Sequence, residues 1–231
     1  MIVFAGPSVP PDLRPADPRL DWRPPAQAGD LLTLCDEPPD RVLLIDGLFD
    51  TRPAVTHKEC LCLLAAGTTL VGAASMGALR YAELERFGML GFGQIARQFF
   101  DGTLIGDDEV ALVHGDARIG WKAISVAMVD VRATLERHPD QVLAKRLLAR
   151  WHDIHFADRD WPAMIAAAAD LADRATLQTI AKSHVPRKQQ DALGAIDFAL
   201  NCRADTPAAC PPRTRWVRQL EDEISRRPTR P

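Results

Sequence analysis

The apolar residues of the first half of the chain come in short unbroken runs. MIVFAG (1–6), RVLLIDG (41–47), TTLVGAAS (68–75) and EVALVHG (109–115) are each closed by glycine or a small polar residue. That is the pattern of strands buried on both faces. Helix-length stretches separate these runs, so residues 1–120 read as an α/β domain with a mostly parallel sheet and crossover helices. Beyond residue 121 the period changes. Ile124, Ala127, Met128, Val131 and Leu135 recur at helical spacing, as do Leu193, Ile196 and Leu200. Residues 121–231 therefore read as a helical domain. It ends in an amphipathic tail with Trp216, Leu220 and Ile224 on one face, suited to packing on the body or holding a partner. Two proline-punctuated stretches, 7–30 and 206–212, read as connections.

Composition narrows the possible partners. The 231 residues carry a formal charge of -3 and no long basic run, which argues against a nucleic-acid footprint. The first residues lack a charged n-region and soon break into prolines, and no later run reaches the roughly 20 apolar residues of a membrane span. The expected setting is the cytoplasm, away from membranes. The five cysteines, Cys35, Cys60, Cys62, Cys202 and Cys210, show no CxxC pair, so they read as reduced thiols.

Candidate chemistry follows from topology. If 41–46, 55–66 and 68–73 form a βαβ unit, the helix runs back across the sheet and starts at the carboxyl edge of both strands. Asp46-Gly47, THKE (56–59) and Ser75 then meet at one edge. Thr56 and Glu59 have capping-box spacing, which starts the helix near His57 and puts Lys58 in its first turn. There the helix dipole and burial both disfavour an ammonium, which would turn Lys58 towards a proton-accepting amine.

Ser75 follows a strand and opens a helix in AASMG, a nucleophile-elbow pattern with alanine at its first glycine. Small neighbours permit the tight turn, and the Met76 N–H at the helix start is a candidate oxyanion donor. Two other readings stand beside this one. The first is an ordinary N-cap serine. The second is a phosphate loop across Gly72 and Gly77, which lacks the Lys-Ser/Thr that such a loop needs.

FAGPS at the start, LIDGLF (44–49), HKE (57–59), GAASMGALR (72–80), ELERFGM (83–89) and DDEVALVHG (107–115) together resemble the TfuA-like family over residues 1–135. The resemblance implies a partner of YcaO enzymes in peptide-backbone thioamidation. It implies hydrolysis of the C-terminal thiocarboxylate of a ThiS-like sulfur carrier, with sulfide released near the YcaO enzyme and help in binding its precursor peptide or protein substrate. It also implies a serine–lysine site, whose matching positions are Ser75 and Lys58. No cofactor and no metal are expected. GAASMGA alone is similar to the nucleophile region of Clp-type serine peptidases. A non-catalytic YcaO adaptor and a serine peptidase or esterase are the alternative functions.

Other polar residues have supporting roles in this reading. Asp46 either orients the dyad or ties its own turn, and His114 is a rival base. His57, His114 and Arg80 are candidates to pair with the thiocarboxylate, while Arg80 and Glu83, one helical turn apart, are placed to serve either a carrier tail or each other. Asp107-Asp108-Glu109 read as solvated turn charges, Cys60 and Cys62 as ordinary buried thiols, and His152 and His155 as surface residues.

Overall fold

The computed structural model describes residues 1–49, 52–202 and 214–226, apart from the Trp216 side chain. Cys210 and the 206–212 connection lie outside the described residues, as does the predicted role of Trp216 in the tail. Five parallel strands form one sheet in the order β2-β1-β3-β4-β5. They are β1 (Ile2–Phe4), β2 (Asp21–Arg23), β3 (Arg41–Leu44), β4 (Thr69–Ala73) and β5 (Leu90–Phe92). The helices are α1 (His57–Ala65), α2 (Met76–Leu84), α3 (Gly93–Phe100), α4 (Met128–Glu136), α5 (Gln141–His152), α6 (Trp161–Ala167), α7 (Arg174–Lys182), α8 (Arg187–Asn201) and α9 (Arg215–Ser225). The α/β sheet followed by a helical region is therefore the observed fold.

Alternation along the strands explains the two layers. Ile2, Phe4, Val42, Leu44 and Leu70 pack with Cys60, Leu63 and Leu64 of α1 and with Leu84 of α2. Val3, Leu43, Ile45, Val71 and Ala73 point to the other face and meet Ala192, Ala195, Ile196 and Ala199 of α8. The layer on this second face thus comes from the far end of the sequence. Arg41 at the start of β3 donates to the Cys202 carbonyl just beyond α8, at 3.4 Å. The C-terminal end of α8 therefore lies at the amino edge of the sheet, and its first turn lies at the carboxyl edge. Helices α4 to α7 bury a core of their own around Leu147, Trp151 and Met164.

The segment 109–115 departs from expectation. Its start is a 3-10 turn (Asp107–Glu109), and Val110 to Val113 run as irregular chain outside the sheet. The Val113 N–H donates to Ser125 Oγ at 2.8 Å, its carbonyl accepts from Ile124, and His114 bridges Ala123. These bonds satisfy the backbone locally, so an apolar run that reads as a buried strand becomes a wall packed over the strand ends. Glu109 is buried in a bidentate pair with Arg132, at 2.8 and 2.5 Å, rather than solvated. Among the described residues no helix is long and apolar enough to cross a membrane, and no cluster suits a metal ion.

Candidate functional site

The strand order reverses between β1 and β3, and open α/β sheets form their ligand crevice at the carboxyl ends beside such a switch. A cavity of about 150 Å³ lies there. Pro7 after β1, Asp46 and Gly47 after β3, Ser75 after β4, Val110 and His114 of the irregular wall, and Lys188 of α8 all line it. Phe49 and Phe156, with ring centroids 6.1 Å apart, close one side. At ~30 Å³ per water the space holds about five waters. It admits a thin extended chain end and excludes a drug-sized ligand, whose pockets begin near ~300 Å³.

Ser75 is set by an unusual turn. Its N–H donates back to the Ala73 carbonyl at 2.7 Å, closing a three-residue turn whose central Ala74 has φ 61°. Positive φ is costly for a residue with a Cβ, and this kind of γ-turn is rare. Ser75 itself lies at φ -125°, ψ -119°, outside the common regions. The hydroxyl makes no cap bond to its own helix, although Ser75 occupies the N-cap position of α2 and is only 7% exposed. The N-cap reading therefore does not account for this side chain. The Met76 N–H, beside it at the start of α2, has no acceptor among the described residues.

The glycines serve a different end. A Cβ on Gly77 would stand 1.8 Å from the Leu44 carbonyl oxygen, and one on Gly72 would stand 2.1 Å from the Gly77 oxygen. The Gly77 N–H also donates to the Ile45 carbonyl at 3.1 Å. Gly72 and Gly77 let α2 sit against the backbone of β3 and β4, and neither lines the cavity. They hold the helix whose start presents Ser75.

Asp46 is 2% exposed and fully engaged. One carboxylate oxygen accepts from the Gly6 and Ser8 N–H groups at 2.8 and 2.9 Å, and the other accepts from Ser8 Oγ at 2.7 Å. It ties the loop after β1 to the end of β3, which joins the FAGPS and LIDGLF stretches. Neither sequence reading of Asp46 included this cross-loop tie.

The structure does not bring Lys58 to the cavity. The capping box forms as expected, with α1 starting at His57. The Lys58 ammonium, half-buried, donates instead to Thr214 Oγ1 at 2.8 Å, next to α9. His57 and Arg80 also lie off the cavity wall. Both meet Glu83, at 2.9 and 2.6 Å, and Arg80 Nε donates to the Val55 carbonyl. His114 does line the cavity, with Nδ1 2.7 Å from the Gly115 carbonyl and its ring edge-on to Trp121.

The lysine in the cavity is Lys188. It is 3% exposed, and its Nζ donates to the Val110 carbonyl at 2.6 Å. Burial pushes its amine below the ordinary lysine range, partly opposed by the Asp46 and Asp130 carboxylates. Asp130, itself buried with its carboxyl pushed up by desolvation, accepts from the Lys188 N–H at 2.9 Å and caps the first turn of α8. The first-turn argument applied to Lys58 picks out Lys188 equally well, once VPRKQQ is seen to open a helix.

A family model for TfuA-like proteins matches residues 46–160. Residues 46–160 belong to the TfuA-like family. The TfuA-like segment starts at Asp46 and takes in Ser75, the irregular wall and Phe156, while Lys188 and the loop after β1 complete the cavity from outside it. No curated protein matches the chain. Membership in the TfuA-like family is consistent with a role in YcaO-linked thioamidation pathways.

Proposed function

We propose that this protein is a hydrolase that frees sulfide from the C-terminal thiocarboxylate of a ThiS-like carrier, with Ser75 as nucleophile and Lys188 as base. Sulfide would be released in the cytoplasm beside a YcaO enzyme that installs it in a peptide backbone. The observation that carries the reading is an uncommitted serine hydroxyl on a strained turn, sharing a small cavity with a buried lysine. The amine moves from Lys58 to Lys188 because only Lys188 lines that cavity among the described residues.

The chemistry takes two steps. Ser75 Oγ attacks the acyl carbon and gives its proton to the Lys188 amine, while the oxyanion faces the Met76 N–H. The C–S bond breaks and the sulfur leaves as hydrosulfide, HS⁻, taking the proton held by Lys188. Water then attacks the acyl-serine, again through Lys188, and returns the carrier carboxylate and the free hydroxyl. Both steps need Lys188 neutral, the state that its burial favours. The cavity's size suits a Gly-Gly tail, leaving carrier recognition to surfaces outside it.

The test is sulfide release from thiocarboxylated carrier by the purified protein. Ser75→Ala should abolish release and cost no more than about 1 kcal/mol of stability, because the hydroxyl caps nothing. Full release by a folded Ser75→Ala protein overturns Ser75 as the nucleophile, and no release by the purified native protein favours the adaptor reading. Turnover of small activated esters with no release from the carrier favours the esterase reading.

A further inference from the structure

A second, larger cavity of about 740 Å³ opens between α3 and α8, beside β5. Arg97 and Arg187 line it, and neither guanidinium forms a hydrogen bond or ion pair with a described residue. Arg187 Nε is also shielded from solvent and has no hydrogen-bond partner among the described residues, while the residue itself lines the cavity. Such groups are rare in folded proteins and call for an acceptor. The side chains of Gln94, Gln98 and Tyr81 line the same space with no hydrogen bond to a described residue.

Two carboxylates in the wall limit what can bind. Asp101 accepts from the Thr103 N–H at 2.9 Å and Asp191 from the Ile95 N–H at 2.8 Å, so both are held in place by backbone. With two guanidinium groups facing two carboxylates, a polyphosphate meets as much repulsion as attraction. A planar carboxylate of single charge fits a guanidinium fork, and the amides attached to it can pair with glutamine side chains. The volume lies in the range of sites that enclose a small ligand or a chain end.

We propose that this cavity binds the C-terminal carboxylate of a peptide, held by Arg97 and Arg187, with its last amides against Gln94 and Gln98. The site is separate from the Ser75 cavity and independent of the chemistry there.

The test is titration of the full chain with N-acetyl-Phe-Leu as the free acid, as its C-terminal amide, and with inorganic phosphate. The side chains of this probe are too bulky for the 150 Å³ cavity. The acid should bind saturably and the amide at least about tenfold more weakly. Arg187→Gln and the exposed Arg97→Gln should each weaken the acid by about tenfold or more, while Ser75→Ala leaves it unchanged. Equal binding of acid and amide, no loss in the folded Arg97→Gln protein, or phosphate binding more tightly than the acid would each overturn the proposal.

Discussion

Lys58 and Lys188 are each the second residue of a helix, and the two helices cover opposite faces of the same sheet. Both helices start at its carboxyl edge, where a lysine opposes the helix dipole. What separates the two sites is the chain packed over them. Lys58 keeps contact with water and donates to a side-chain hydroxyl, Thr214. Lys188 is covered by the 110–114 wall and by α4, and donates to a backbone carbonyl. The same residue type at the same helical position is therefore half-buried in one place and fully desolvated in the other. Burial, more than position on the helix, separates the two lysines.

The contrast can be sharpened in stability first. Asp46→Ala removes the acceptor for Gly6, Ser8 and the Ser8 hydroxyl beside Lys188, and should cost about 3–5 kcal/mol in urea denaturation. A loss below about 1 kcal/mol would mean that the loop after β1 is held some other way.

The buried amine predicts a pH signature. The folded-state pKa of Lys188 lies below its unfolded value. The unfolded chain therefore binds more protons, and stability rises with pH from the folded pKa up to about 10.4. Lys188→Met should lose that slope and match or exceed the native protein at pH 7 by about 1 kcal/mol. A slope that persists in the methionine variant would assign it to another group.

The smallest effect belongs to the other lysine. Thr214→Ala removes the partner of Lys58 at the start of α9 and should cost under about 1 kcal/mol, with sulfide release unchanged. A tenfold loss of release would return Lys58 to the chemistry.

The unequal surroundings of the lysines also mark what the sequence made legible. β1, β3, β4, the capping box at Thr56 and the serine after β4 could all be read, because continuous apolar runs and cap residues act locally. β2 (Asp21–Arg23) and β5 (Leu90–Phe92) are edge strands broken by charge or glycine, and unlike the equally short β1 they lie in no unbroken apolar run. The helical spacing around Leu193, Ile196 and Leu200 announced α8, but periodicity does not say which surface a helix covers. The placement of α8 on the sheet, and with it Lys188 in the cavity, depends on contacts between residues more than a hundred positions apart. The run at 110–113 reads as a strand for a related reason. An apolar segment can be buried by a sheet or by loops, and only the partners of its backbone separate the two.

The most direct test of the account is sulfide release from a thiocarboxylated carrier by Lys188→Arg and Lys58→Arg measured side by side. Guanidinium stays protonated at any working pH, so arginine preserves charge and removes the base. Loss of about a hundredfold or more in Lys188→Arg, with Lys58→Arg within about threefold of the native rate, is the predicted result. The reverse pattern would contradict it and place the chemistry at the first turn of α1.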